Sequence, residues 1–134
     1  MKLVIKKTRP DSCVILASRD HSLTEGLRSR LETIFEVVVM VADEVSLVEC
    51  ACRLNPALVL VHLTLSGSGF SWLRTLRTLC PGLKIIVLSQ RDESGLRPAL
   101  IRCGAGGFLL NSALDSDLLP AIDAVLSGGL WPSV

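Results

Sequence analysis

His62 closes the apolar run Ala57-Leu58-Val59-Leu60-Val61, which lies between Asn55-Pro56 and the loop Ser66-Gly67-Ser68-Gly69. An apolar run bounded by turn formers reads as a central strand of a parallel sheet. Ligands in open α/β sheets gather at the C-terminal ends of such strands, so His62 sits where chemistry is expected. An imidazole there can be a neutral hydrogen-bonded side chain, a contact to an anion or other ligand, a phosphoryl acceptor or a metal ligand. Other features with chemical potential are weaker. Cys50-x-Cys52 offers two sulfurs, but i, i+2 side chains on a helix point apart, and no second pair has zinc-site spacing. The Gly/Ser loop follows the third strand and lacks the lysine or spaced glycines of a phosphate-binding loop, so it reads as a flexible turn. Trp72 reads as a packing residue, and Trp131, after the last glycines, as a tail contact.

The elements that would position His62 alternate regularly. Val14-Ile15-Leu16-Ala17 is a first buried strand, followed by a helix with Leu23, Leu27 and Leu31 inward. Val37 to Val41 is a second strand, and Asp43 caps a helix with Val45, Val48 and Cys52 on its inner stripe, ending near Asn55-Pro56. The strand ending at His62 leads to a helix with Leu73, Leu76 and Cys80 inward, stopped by Pro81-Gly82. Ile85-Ile86-Val87-Leu88 opens a fourth unit, whose helix buries Leu96, Leu100 and Cys103 and ends at Gly104. Gly107-Phe108-Leu109-Leu110 makes a fifth strand, and a last helix buries Leu118, Ile122 and Val125 before Gly128-Gly129. Consecutive β/α units without hairpins imply a doubly wound parallel sheet with helices on both faces.

Composition sets outer bounds. A chain of 134 residues, 49% hydrophobic, fits one domain able to bury a core without metal or disulfide staples. A formal net charge of +1 with interspersed signs gives no global attraction to nucleic acid, membranes or acidic substrates. The odd number of cysteines (Cys13, Cys50, Cys52, Cys80, Cys103), at mostly apolar positions, reads as reduced thiols and a cytoplasmic protein. No apolar stretch reaches the roughly 18 residues of a membrane span. Residues 1–12, with Lys2, Lys6, Lys7 and Arg9, read as a basic leader, residues 13–132 as the domain, and residues 133–134 as a tail.

The stretches Leu23-Thr24-Glu25-Gly26-Leu27-Arg28, Ile86-Val87-Leu88-Ser89, Cys103-Gly104-Ala105-Gly106-Gly107-Phe108-Leu109-Leu110 and Gly128-Gly129-Leu130-Trp131 carry a resemblance. In this order and spacing they resemble the receiver domain of response regulators, of the NarL/FixJ type, over about residues 13 to 132. The resemblance implies a flavodoxin-like (CheY-like) α/β fold with strand order 2-1-3-4-5. In such receivers an acidic pair after the first strand and an aspartate after the third hold Mg²⁺, and that aspartate accepts a phosphoryl group. The resemblance puts Ser18 and Arg19 at the acidic pair and His62 at the acceptor. Ser89 keeps the hydroxyl after the fourth strand, and Asn111 replaces the lysine after the fifth.

Mg²⁺ wants carboxylate, phosphate and water oxygens, which those residues do not supply. Replacing a carboxylate by the Arg19 guanidinium inverts an interaction of roughly 4 kcal/mol at 4 Å and an effective dielectric near 20. A register slip would bring Asp20 nearer, one carboxylate without an acceptor. The resemblance therefore implies a degenerate receiver, not an enzyme and without cofactor or metal, in two-component-type signalling and transcription regulation. It would bind a protein partner or dimerise through Arg97, Arg102, Phe108, Asp115, Asp117 and Asp123 on the fourth helix, fifth strand and fifth helix. An anion or small-ligand sensor built on Ser18, Arg19, His62, Ser89 and Asn111 is the alternative. Residual phosphotransfer to His62 or Asp20 is a further one. DNA contact is expected only through an output domain beyond the linker that would follow Gly128-Gly129, a domain these residues do not contain.

Overall fold

The computed structural model describes residues 12–65 and 70–132, so residues 1–11 of the expected leader, residues 66–69 of the Gly/Ser stretch and residues 133–134 lie outside the described residues. Five strands, β1 (Cys13–Ala17), β2 (Val37–Val41), β3 (Leu58–His62), β4 (Ile85–Ser89) and β5 (Gly107–Leu110), form one parallel sheet in the order β2-β1-β3-β4-β5. They alternate with helices α1 (His21–Leu31), α2 (Glu44–Leu54), α3 (Ser71–Leu79), α4 (Leu96–Arg102) and α5 (Leu114–Leu126). Short 3₁₀ turns, Leu63–Leu65 and Asn111–Ala113, follow β3 and β5. This is the doubly wound parallel sheet that the β/α alternation predicts, with the flavodoxin-like strand order that the receiver resemblance implies.

The core has two layers because alternate strand residues point to opposite faces. Val14, Leu16, Leu58, Leu60, Ile86 and Leu88 meet Leu27 and Leu31 of α1 and Leu118, Ile122 and Val125 of α5. Ile15, Ala17, Val59, Val61, Ile85 and Val87 meet Leu47 and Ala51 of α2, Trp72, Leu73 and Leu76 of α3, and Leu100 of α4. β1, β3 and β4 are buried along their whole length, whereas β2, at the sheet edge, leaves Val37 and Met40 exposed.

Helix ends follow local chemistry. The Asp43 carboxylate accepts from the Ser46 N–H at 2.7 Å and starts α2, as expected, while Asn55 in the left-handed region (φ 49°) ends it before Pro56. Two inner stripes differ from the sequence reading. On α2, Val45 is 69% exposed and Cys52 is exposed, and the buried pair is Leu47 and Ala51. The i, i+3, i+4 pattern fits two neighbouring stripes on this helix, and packing against β1 selects the one with the small Ala51. On α3 the inward residues are Trp72, Leu73 and Leu76, while Cys80 is the half-buried residue ending the helix. Leu23, Leu96 and Cys103 are partly rather than fully buried. Trp131 donates its N–H to the Gly106 carbonyl and accepts the Phe108 N–H, both at 2.9 Å, so the tail continues the pairing along β5. Among the described residues no helix is long and apolar enough to cross a membrane.

The stripe on α2 can be tested directly. Leu47→Ala should destabilise the fold by about 2–5 kcal/mol in a denaturant titration. Val45→Ala should stay within about 0.5 kcal/mol of the parent, and equal losses would refute the observed register.

Candidate functional site

Three strands deliver buried polar side chains to one end of the sheet: Ser18 directly after β1, His62 ending β3 and Ser89 ending β4. Burial obliges each to find a partner. His62 is 2% exposed. Its Nδ1 accepts the Thr64 backbone N–H at 3.1 Å and lies 2.9 Å from the Thr64 hydroxyl. An N–H pointing at Nδ1 requires a lone pair there, which places the imidazole proton on Nε2. Nε2–H then donates to Asn111 Oδ1 at 3.2 Å. The ring is thus a neutral tie between the end of β3 and the 3₁₀ turn after β5. Burial pushes its pKa below the ordinary histidine value, against smaller opposing contributions from the Asn111 hydrogen bond and the Asp20 carboxylate.

The other predicted residues also find partners, local ones for Ser18, Asp20 and Ser89 and a distant one for Arg19. Ser18 Oγ accepts the Asp20 N–H at 3.0 Å. The Asp20 carboxylate caps α1, accepting from the Ser22 hydroxyl at 2.8 Å and the Leu23 N–H at 3.3 Å. These bonds hold it below the usual carboxylate range. Arg19 is exposed, and its Nε donates to the Ala42 carbonyl at 3.2 Å, which turns the guanidinium towards the β2–α2 connection. Ser89 Oγ donates to the Arg91 carbonyl at 2.8 Å and accepts the Arg91 N–H at 3.1 Å. The structure therefore joins His62 to Asn111, sets Ser89 in the wall of the same cleft, leaves Ser18 engaged with its own loop, and ties the Arg19 side chain to the β2–α2 connection.

That cleft, about 350 Å³, is lined by His62, Leu63, Thr64, Ser89, Gln90, Arg91, Glu93 and Leu96. Thr64, the residue that fixes the His62 tautomer, belongs to none of the sequence motifs. Its signal is the i, i+2 spacing at which a hydroxyl residue folds back on its neighbour. Glu93 is an exposed carboxylate, 3.9 Å from Arg91. Among the described residues no group of His, Cys, Asp and Glu side chains is arranged to hold a metal ion.

No family model matches the sequence. The nitrate/nitrite response regulator NarP of Escherichia coli (strain K12) is 37% identical over 113 residues, 81% of this chain and 53% of the relative. The transcriptional regulatory protein DegU of Brevibacillus brevis is 32% identical over 117 residues, 84% of this chain and 49% of the relative. The chain thus spans about half the length of these curated relatives. A two-component response regulator of the LuxR family from Aurantimonas sp. SI85-9A1 superimposes with a TM-score of 0.80 at 24% identity, covering 89% of this chain and 87% of the other. The isolated receiver domain of RcsB from Salmonella enterica serovar Typhimurium, with phosphomimetic BeF3-, gives 0.78 at 24% identity over 90% and 91%. The chain has the response-regulator receiver fold.

In this receiver fold the face of α4, β5 and α5 is distributed unevenly. Phe108 is 2% exposed and lies beneath Arg97, whose guanidinium carbon is 5.6 Å from the ring centroid, a cation–π arrangement. Arg97 also pairs with Asp92 at 3.6 Å. Asp115 leans the other way, to Arg30 of α1 at 3.4 Å, and the Asp117 carboxylate accepts from the Ser116 hydroxyl. Arg102 and Asp123 are exposed.

A buried neutral imidazole makes stability depend on pH. The unfolded histidine titrates near about 6.5 and the folded one lower, so between those values the unfolded chain binds more protons. His62 stabilisation is complete above the unfolded value and is lost as pH falls through the folded one. Unfolding titrations should show stability falling below pH ~6.5 with a slope of at most about 1.4 kcal/mol per pH unit from this group. His62→Gln should flatten that slope. An unchanged slope in the variant would show that His62 is not its source. The capping carboxylates Asp20 and Asp43, held low by their hydrogen bonds, act in a separate and more acidic window.

Proposed function

We propose that the chain is a regulatory receiver module of two-component-type signal transduction and transcription regulation whose output does not require phosphorylation. It acts by binding a protein partner or a second copy of itself, in the cytoplasm, and any contact with DNA is made by another domain. The observation that carries this reading is the hydrogen bonding of His62, both of whose ring nitrogens are taken up within the fold. The family resemblance aligns His62 with the acceptor aspartate, and a neutral, buried imidazole with both nitrogens engaged is a poor stand-in for an ionised carboxylate that must attack phosphorus.

The donors at this end of the sheet also do not suit Mg²⁺, which receivers use for that reaction. Ser18 Oγ is held by the Asp20 N–H, the Asp20 carboxylate caps α1, and Arg19 adds positive charge to the same loop. Mg²⁺ takes several oxygen ligands in near-octahedral geometry, with carboxylates among them. Glu93 lies near Arg91 on an exposed segment of the cleft and supplies only one such group.

The test is an amide NMR titration with Mg²⁺ and beryllofluoride, then with orthophosphate alone, following residues 18–20, 62, 89 and 111. Unperturbed spectra in the first titration are expected. Saturable Mg²⁺-dependent shifts spreading into α4 and α5 would overturn the proposal. Shifts on orthophosphate alone would replace it with an anion-sensing role for the cleft. As a second check, a phosphodonor such as acetyl phosphate should leave the protein unlabelled. Label that disappears in His62→Ala would establish phosphotransfer to the imidazole instead.

A further inference from the structure

The sulfur pair closest to contact in the described structure is not the Cys50-x-Cys52 motif. Cys52 lies on the last turn of α2 and Cys80 ends α3, 28 residues later, with their Sγ atoms 3.6 Å apart. Divergence of the i, i+2 side chains produces this arrangement: Cys50 turns towards the layer of α2 and α3, and Cys52 turns outward to meet Cys80. Cys52 is exposed, Cys80 is half-buried, and both are free thiols. Neither belongs to the cleft at His62. Two thiols in van der Waals contact on neighbouring helices already share an approach direction. Shortening 3.6 Å to the roughly 2.05 Å of a disulfide needs a sulfur displacement of about 1.5 Å, within reach of side-chain rotation and slight helix adjustment.

We propose that Cys52 and Cys80 form a peroxide-sensitive dithiol that closes into a disulfide clamping α2 to α3. Solvent access makes Cys52 the entry point. Burial, with the neighbouring Cys52 thiol, pushes the Cys80 thiol up, so Cys80 stays protonated and acts second. The Cys52 thiolate attacks one oxygen of hydrogen peroxide. The S–O bond forms, the O–O bond breaks, hydroxide leaves, and the sulfur is oxidised to a sulfenic acid as peroxide is reduced. The Cys80 sulfur, giving up its proton, then attacks the sulfenyl sulfur. The S–S bond forms and the S–O bond breaks, and the departing oxygen leaves as water with that proton. Overall, two thiols and one peroxide become one disulfide and two waters. The closed bond links the end of α2 to the end of α3, enclosing β3 and α3 in one covalent loop.

The experiment uses the full chain, reduced and then exposed to stoichiometric hydrogen peroxide, alkylated and digested without reductant for mass mapping. A Cys52–Cys80 cross-linked peptide should dominate, in monomeric protein whose mass has fallen by two hydrogens. Oxidation should raise Tm by roughly 5–15 °C, reversibly with reductant. Cys80→Ser should leave Cys52 as a sulfenic acid that dimedone traps. If that variant does not fold, the wild-type map decides alone. Cross-links that run to Cys50 or Cys103, cross-links between chains, or over-oxidation of Cys52 with Cys80 left free would each overturn the proposal.

Discussion

The rest of this structure depends on the burial of β1, β3 and β4 on both faces of the sheet. A strand covered on both sides has no solvent into which a polar side chain can turn, so polar residues are pushed to its ends. Ser18, His62 and Ser89 stand at the C-terminal ends of those three strands, and all are buried. Each solves its desolvation differently: Ser18 by taking the N–H of the helix-capping residue, Ser89 by closing a turn on Arg91, His62 by reaching across to Asn111. Only the last of these couples distant parts of the chain. The ring bridges the end of β3 and the turn after β5, passing β4, which lies between them in the sheet.

Much of the fold is legible in the sequence because the strands are nearly pure apolar runs and the helices end on strong signals. Asp43, Asn55-Pro56 and Pro81-Gly82 mark their boundaries by local chemistry that tertiary packing has no reason to override. The inner stripe of α2 is not legible in the same way. Val45, Leu47, Val48, Ala51 and Cys52 fit more than one helical face, and the choice is made by the neighbours, chiefly β1 and α3. Pro120 inside α5 signals a helix break by itself, yet Leu114, Leu118, Ile122 and Val125 keep the helical period across it, and burial of that stripe offsets the missing hydrogen bond.

The site divides along the same line. That His62 ends a central strand, at the mouth of the sheet, follows from the run before it and the glycine-serine loop after it. Its protonation does not, because the tautomer is fixed by the Thr64 N–H, a backbone group whose direction depends on the 3₁₀ turn that begins at Leu63. Arg19 shows the limit from the other side. Its place beside the strand ends is legible, but the Ala42 carbonyl that orients its side chain belongs to a connection 23 residues away. Cys52 and Cys80 meet for the same reason: no spacing rule relates the last turn of one helix to the end of the next until both are packed on the sheet.

The neutrality of the His62–Asn111 tie bears on how such a module could be controlled under the reading proposed above. A ligand or modification shifts a two-state surface only by the difference in its interaction energy with the two states. A single neutral hydrogen bond contributes about 0.5–1.5 kcal/mol, so making or breaking this tie changes a population ratio by at most about tenfold. A charge introduced at about 4 Å from another acts with roughly 4 kcal/mol at an effective dielectric near 20. A pocket held by neutral bonds is therefore a weak lever on α4 and α5, the elements that flank β4 and β5. A partner docking directly on that face can contribute more than the pocket does. Control of a module built this way passes from the chemistry of the strand ends to the concentration of whatever binds its surface.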